Sequence, residues 1–368
     1  MARLGDVFSV IRNGVSIRQT DGAGGLPITR IETISNREID RSKFGYAGIE
    51  DADKYREYIL QDGDILMSHI NSEKHLGKVA LYKKQGNEKI IHGMNLLMLR
   101  ANKSIVYPPF ATYFFATNIF LGQIQKITKK SVNQASFTVS ALKEIEMDLP
   151  ALDEQRRIAS VLDKVNDLIA KRRQQLDKLD ELVKARFVEM FGDCYTNPHN
   201  LPIEKWNNIF STTTGKLDSN AAVENGKYPF FTCSKETLRI NTYAFDQEAL
   251  LLAGNNAAGK YDVKYYCGKF NAYQRTYVLS LKHDWSYALF RFQLEDKLGY
   301  LEQQSLGGLT KYLTLKILNE LEFIVPPKEE QDKFAAFVDQ IEKTKTTVSH
   351  SLEKLETLKK ALMQEYFG

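Results

Sequence analysis

The sequence has little of what staples, coordinates or catalyses. Its three cysteines, Cys194, Cys233 and Cys267, stand far apart without C-x-x-C spacing, which argues against a disulfide framework or a structural zinc site and for a reducing, intracellular setting. The six histidines (His69, His75, His92, His199, His283, His350) show no H-E-x-x-H and no other metal-ligand spacing, so no metal site is expected. There is no G-x-S-x-G elbow and no glycine-rich G-x-G turn after a strand. Paired carboxylates such as Asp51/Asp53 and Asp62/Asp64 sit in polar, turn-rich surroundings that read as solvated surface. Long apolar runs are missing too: nowhere do about 18 apolar residues follow one another, and the first residues carry no signal core. A soluble, cytoplasmic chain is expected, with no membrane contact and no catalytic constellation of its own. Charge of one sign is also scarce. The net charge is +4, and the excess lies in residues 1–149, with 20 basic and 16 acidic side chains, whereas 193–325 hold 14 of each. That is a weak nucleic-acid signal.

What is present is a repeat. Pro150 to Gly192, shifted by 176 positions, lands on Pro326 to Gly368 without a gap, and 14 of the 43 paired residues are identical. Chance would supply about three. Both copies read as helices. Ile158, Leu162, Val165, Ile169, Arg172, Leu176, Leu179 and Val183 follow a 3,4 spacing, with Phe187 and Met190 after a slip, and so do Phe334, Val338, Ile341, Lys345, Val348, Leu352 and Leu355, followed by Leu362 and Tyr366. Spacing of this kind makes a coiled-coil seam. Acidic residues open each helix and Gly192 and Gly368 close it. Two such helices in one chain pair most economically with each other, antiparallel, about a pseudo-twofold axis. The seam is uneven: Thr344 to Thr347 replaces Leu168 to Lys171.

The segments before the helices read as mixed α/β, in the α+β sense. In 1–149, strand-like runs cover Gly25–Ile31, Asp64–Ser68, Lys78–Tyr82 and Asn95–Arg100, and the pattern turns helical at Pro108. Residues 193–325 repeat the plan loosely. Val7 to Ser9 resembles Ile209 to Ser211, Leu26 to Ile28 resembles Tyr228 to Phe230, and Asp64 to Tyr82 resembles Ala249 to Tyr266. The organisation is therefore 1–149, helix 150–192, 193–325, helix 326–368: one unit copied once, its framework retained and its loops diverged.

Two motifs imitate enzymes. Gly254 to Lys260 matches G-x-x-x-x-G-K, but Tyr261 stands where Ser or Thr must hold magnesium, and a strand-like run follows where a helix is needed. Tyr107-Pro-Pro-Phe110 is similar to the N-P-P-[FY] signature of adenine methyltransferases, with Tyr in place of the residue that would hold the adenine amino group. Prolines opening a helix are the simpler reading. What remains are polar loops in corresponding places of the two halves: Ser68, His69, Asn71, Lys74, His75 and Lys78; His92 and Asn95; Lys129, Lys130, Asn133 and Gln134; then Asn255, Asn256 and Lys260; Tyr273, Gln274 and Arg275; Thr310, Lys311 and Tyr312. Asn, Gln, Arg and Lys read base edges, while Lys, Arg, Ser and Thr hold phosphates. Any one of them alone reads as an ordinary exposed loop residue; the clustering at equivalent positions makes them candidate DNA contacts.

Pro150-Ala-Leu-Asp-Glu-Gln-Arg-Arg-Ile158, after an apolar strand and before a long helix, resembles the conserved-region motif of type I restriction-modification specificity subunits. Pro326 to Phe334 resembles its second copy. The resemblance covers the whole chain: recognition domain, helix, recognition domain, helix. It implies a non-catalytic reader of double-stranded DNA. Each domain takes one part of a split target, and the helices act as a ruler. It also implies two methyltransferase subunits carrying S-adenosylmethionine, docked near Glu154, Gln155, Arg156 and Arg157 and near Glu330 and Gln331. Restriction subunits using ATP and magnesium would join them, and no cofactor is expected in this chain. Asp332 and Lys333 depart from Arg156 and Arg157, which puts the equality of the docking sites in doubt. The competing readings are a nucleotide-hydrolysing enzyme built on Gly254 to Lys260, and a coiled-coil scaffold that binds only proteins.

Overall fold

The computed structural model describes residues 1–19, 24–35, 38–132, 134–257 and 259–368. They form two compact units, Met1–Arg172 with Ser351–Gly368, and Arg173–His350.

The first unit is built on a four-stranded antiparallel sheet in the order Phe8–Asn13, Leu96–Ala101, Ile65–Ser68, Val79–Leu81. The two inner strands are apolar on both sides because both faces are covered. Ile65, Met67, Leu97 and Leu99 face one core, with the helices Pro108–Phe114 and Asn118–Ile127. Leu66, Leu96 and Met98 face a second, smaller core with Leu60, Tyr82 and Ile90. Beside it Asp64, 1% exposed, takes a two-pronged hydrogen bond from Arg100 at 2.8 and 2.7 Å. The run Gly25–Ile31 is not a strand. It makes only isolated bridges, from Gly25 and Ile28, and ends in a 3-10 turn, Ile31–Thr33. Pro27, with no N–H to give, cannot complete a ladder there.

The second unit carries six strands in the order Phe210–Thr214, Thr276–Leu281, Phe245–Ala253, Val263–Ala272, Tyr228–Phe231, Leu238–Ile240. The first four match the first unit's sheet strand for strand, and the last two are an addition. Leu250, Leu252 and Leu279 face one core, Ala249, Leu251 and Val278 the other. Each unit is closed in the same manner. Ala2–Arg3 pairs with Glu146–Met147, and Ile203–Lys205 pairs with Glu322–Ile324. A threonine then caps the short helix before each closing strand: Thr138 accepts from the Ala141 amide, Thr314 from the Ile317 amide.

The two repeats are 40-residue helices, Leu152–Phe191 and Lys328–Phe367, about 60 Å each at 1.5 Å per residue. Gly192 ends the first at φ +74°, and its amide returns to the Val188 carbonyl; a side chain there would collide with Pro198. Each unit holds the start of one helix and the end of the other. In the first unit Ile158, Ala159 and Leu162 enter the core, Phe367 packs on Phe110 at 5.0 Å, and Arg157 lies over the Tyr366 ring. In the second, Phe187 and Phe191 pack edge-on against Phe334, Arg186 lies over Phe337, and Lys345 bonds Asp180 at 2.8 Å. Rising numbers on one helix meet falling numbers on the other, so these segments run antiparallel.

The Thr344–Thr347 stretch does not break its helix. Thr344, Thr346 and Thr347 turn their hydroxyls back to the carbonyls of Gln340, Glu342 and Lys343. Lys345, at a seam position, reaches across to Asp180. Burial works against its charge, but hydrogen bonds with Asp180 and Glu342 outweigh that and hold its pKa above the usual lysine value.

Candidate nucleic-acid interface

In both units the polar loop that leaves a buried central strand returns to pair with the loop before the last short helix. In the first, Ile70–Asn71, Ala135–Ser136 and Lys129–Lys130 form a small antiparallel sheet, with Ala135 between Asn71 and Lys130. In the second, Asn255–Asn256 pairs with Lys311–Tyr312, Asn256 opposite Lys311 and Asn255 opposite Tyr312. Loops about 60 residues apart in sequence are thereby drawn into one ribbon. Tertiary bonds seat it: in the second unit the Leu313 amide donates to the Gly254 carbonyl at 2.8 Å, and the Tyr277 hydroxyl donates to the Leu313 carbonyl at 3.0 Å.

The ribbons carry cations with few partners. Lys74, Lys129 and Gln134 are exposed, Lys130 is bonded to Glu73 at 2.8 Å, and Lys78 donates to His75 Nδ1 at 2.7 Å. The His75 pKa is lowered by desolvation and by the neighbouring Lys78 and Lys74, which keeps the ring an acceptor. Asn71 is half-buried; its Oδ1 accepts from the Ser72 amide and its Nδ2 donates to Ser68 Oγ. In the second unit Lys260, Gln274, Arg275, Thr310 and Tyr312 are exposed, and Asn255, Asn256, Tyr273 and Lys311 are half-buried. Gln274 Nε2 reaches Asp218 at 3.4 Å.

Sequence reasoning overlooked the ribbon tips. Val132 is 98% exposed in the turn that the Ser131 amide closes on the Gln134 carbonyl. Leu309 is 95% exposed in the loop that Leu306 and Tyr312 close at its base. The available signal was an apolar residue inside an otherwise polar or glycine-rich turn.

The family profile described as type I restriction modification DNA specificity domain matches residues 1–180 and 205–357. The chain belongs to that family. The MjaX specificity subunit of a type I restriction enzyme from Methanocaldococcus jannaschii, so named provisionally, is 42% identical over 192 residues, 51% of this chain and 44% of that one. The EcoDI specificity subunit of Escherichia coli is 35% identical over 162 residues, 42% of this chain and 35% of its own. The chain therefore spans under half the length of these two curated relatives. The crystal structure of a type I restriction-modification S subunit from M. genitalium superposes with a TM-score of 0.68 at 14% identity, covering 100% of this chain and 95% of the other. That likeness concerns the fold.

In this specificity-family chain several expected contacts are not surface groups. Ser68, His69 and His92 are 4%, 6% and 0% exposed. The chain needs them in its interior: His92 Nδ1 lies 3.4 Å from Thr29 Oγ1, which in turn accepts from the Gly93 amide, and His69 packs edge-on against Phe137. Burial lowers both histidines to a pKa of about 4. Asn95 is half-buried at φ +78°, where its role is the turn. Asn133 lies outside the described residues.

The motif glutamines are also corrected. Gln155 is 0% exposed; its Oε1 accepts from the Tyr107 amide and its Nε2 donates to the carbonyls of Ile105 and Pro150. Gln331, 1% exposed, repeats this with the Ser286 amide and the Pro326 carbonyl. Each glutamine locks its helix to its own domain instead of facing a partner. Glu154, Arg156, Arg157 and Glu330 remain at the surface, in i,i+3 ion pairs such as Arg157–Glu154 at 2.5 Å and Lys333–Glu330 at 2.8 Å.

The two enzyme-like motifs become structural. Gly254 to Lys260, of which Ala258 lies outside the described residues, runs into the strand Val263–Ala272. No helix N-terminus is there to cradle a phosphate. Tyr107 precedes the helix Pro108–Phe114, with the prolines in its first turn. Among the described residues, no helix is long and apolar enough to cross a membrane.

Proposed function

We propose that this chain is the sequence-reading subunit of a type I restriction-modification complex. Each unit reads one half of a split double-stranded DNA target in the cytoplasm, and the long helices set the unread spacer. The observation that carries this is the ribbon built twice, from non-adjacent polar loops, at the same place of two sheets whose strands otherwise agree. Lys129, Lys130, Lys260 and Lys311 suit phosphates; Asn71, Gln134, Asn255, Asn256, Gln274 and Arg275 suit base edges. Val132 and Leu309 are of the kind that slide between base steps.

Methylation and cleavage belong to partners. Two methyltransferase subunits bring S-adenosylmethionine, and restriction subunits bring ATP-driven chemistry with magnesium. The low net charge fits a reader whose partners share the phosphate contact. The deciding experiment combines the purified chain with its methyltransferase and maps methylated adenines on genomic DNA. A two-part motif is expected, and exchanging residues 193–325 for those of another such chain changes one half of it alone. Methylation by the chain without a partner, or loss of both halves on exchange, contradicts the proposal.

A further inference from the structure

The second unit buries a cation that has no anion. Lys297 stands at the junction of the helices Tyr287–Asp296 and Leu298–Gln304, and it is only 5% exposed. Its nitrogen meets the Cys194 sulfur at 3.9 Å and lies over the rings of Tyr195 and Phe323, at 4.6 and 5.5 Å. Among the described residues no carboxylate forms an ion pair with it. An ammonium has three donors to place, and a thiol is a weak acceptor. The ring faces offset part of the cost of burying the charge, yet the charge itself is unmatched.

The thiol beside it is not the missing anion. Cys194 lies two residues past Gly192, where the long helix stops; it is half-buried and donates to Asp296 Oδ2 at 3.5 Å. Burial raises its pKa, Lys297 pulls the other way, and Asp296 adds to the rise. A protonated thiol therefore faces the ammonium at neutral pH. The other charged group of this turn, Asp193, is engaged locally, its Oδ1 accepting from the amides of Tyr195 and Thr196. Tyr195, 63% exposed, brings solvent to the sulfur's side.

We infer that Cys194 is a site of reversible oxidation by a peroxide, and that the Lys297 ammonium binds the sulfenate oxygen formed there. The thiolate sulfur attacks one peroxide oxygen and the O–O bond breaks. The departing hydroxide takes up the thiol's proton and leaves as water, so sulfur is oxidised by two electrons and the peroxide is reduced by two. The product, Cys–SOH, is a stronger acid than the thiol and gives its proton to solvent. The gap suits that oxygen. A separation of 3.9 Å is long for a hydrogen bond even to sulfur, but it leaves room for one oxygen bonded to the sulfur and accepting from the ammonium at about 2.8 Å. A cellular thiol returns the cysteine: its sulfur displaces water from Cys–SOH to give a mixed disulfide, and a second thiol releases Cys194.

The test uses the full chain with Cys233→Ser and Cys267→Ser, so that Cys194 alone reacts. It is treated with hydrogen peroxide and followed by peptide mass spectrometry, with a cyclic diketone to trap the sulfenic acid and with a reducing thiol to reverse it. Cys194 should gain one oxygen, be trapped, and return to the thiol on reduction. Because the thiolate is the reacting form, the rate should rise with pH. Asp296→Asn removes a group that raises the thiol pKa and should speed oxidation at pH 7 severalfold. Lys297→Met keeps the buried stem without the charge and should slow it on the order of tenfold. Oxidation should also raise the melting temperature of the second unit, read by tryptophan fluorescence, by about 3 °C, because the ammonium gains its anion; in Lys297→Met that rise should vanish. No oxygen on Cys194, a rate that ignores both substitutions, or an oxidised chain that melts no higher than the reduced one overturns the inference. If Lys297→Met does not fold, the rate of Asp296→Asn and the melting of the oxidised chain decide it.

Discussion

The two units set the same four strands in the same order around different interiors. In the first, Ile65 pairs with Leu99, and beside them Asp64 and Arg100 make a buried ion pair. In the second, Leu250 pairs with Leu279, which puts Ala249 and Ser280 at the corresponding places. The first unit also buries His69 and His92, whereas His199 and His283 of the second are exposed. The second adds the strands Tyr228–Phe231 and Leu238–Ile240 where the first has isolated bridges around Pro27. A shared backbone order thus tolerates a buried Asp–Arg pair and two buried histidines in one copy and apolar or neutral groups at the corresponding sheet positions in the other. What both keep is the closing strand, the capping threonine and the glutamine lock at the helix start. The copies agree where the domain meets the long helix and differ in the sheet's interior and its loops.

The largest break of that comparison comes from Asp64→Ala. It leaves Arg100 mostly buried without its partner and should destabilise the first unit by about 3–5 kcal/mol. Both tryptophans, Trp206 and Trp285, belong to the second unit. Hydrogen exchange should therefore show first-unit amides opening while tryptophan fluorescence melts as before.

Acid separates the units next. Above about pH 6.5 His92 is neutral both folded and unfolded. As the pH falls, the unfolded ring takes a proton first and the folded one only near 4, so stability is lost across that window, by about 3 kcal/mol at its foot. His69 adds in the same direction. Exchange-detected unfolding at pH 5 against pH 7 should weaken the first unit more than the second; equal weakening would contradict the buried, neutral assignment.

The lock should behave alike in both. Gln155→Ala and Gln331→Ala each strand a buried amide, at about 2 kcal/mol, and only the second should move the tryptophan transition. Smallest is the effect of single lysines on DNA binding. Lys129→Ala should cost about 1 kcal/mol and lower the salt slope. Lys130→Ala should cost less, because Glu73 already engages its ammonium; the reverse order would mean that the ion pair opens on DNA.

Much of this was legible in residues alone. The repeat, the helices within two residues of their observed ends, and the strands Ile65–Ser68, Val79–Leu81 and Leu96–Ala101 follow from local patterning. Gly25–Ile31 misled because its apolar spacing is strand-like while Pro27 withholds a donor. Of the candidate contacts, Lys74, Lys129, Lys130, Gln134, Lys260, Gln274, Arg275, Thr310 and Tyr312 stand exposed, while Ser68, His69, His92, Gln155 and Gln331 lie inside. Polarity in a loop signals an unmet hydrogen-bonding need, and that need can be met by solvent, by DNA or by the chain's own backbone. Local sequence does not say which.

The sequence by itself determined the duplication and the two 40-residue helices with their seams and stops, because each is a matter of residue order and spacing within one segment. Only the tertiary structure decided that Asn71 and Lys130 meet on either side of Ala135, that Asn256 meets Lys311, and that two motif glutamines are locks. Those outcomes depend on which distant backbone groups and surfaces arrive beside a residue, and that is settled when the sheets and helices pack.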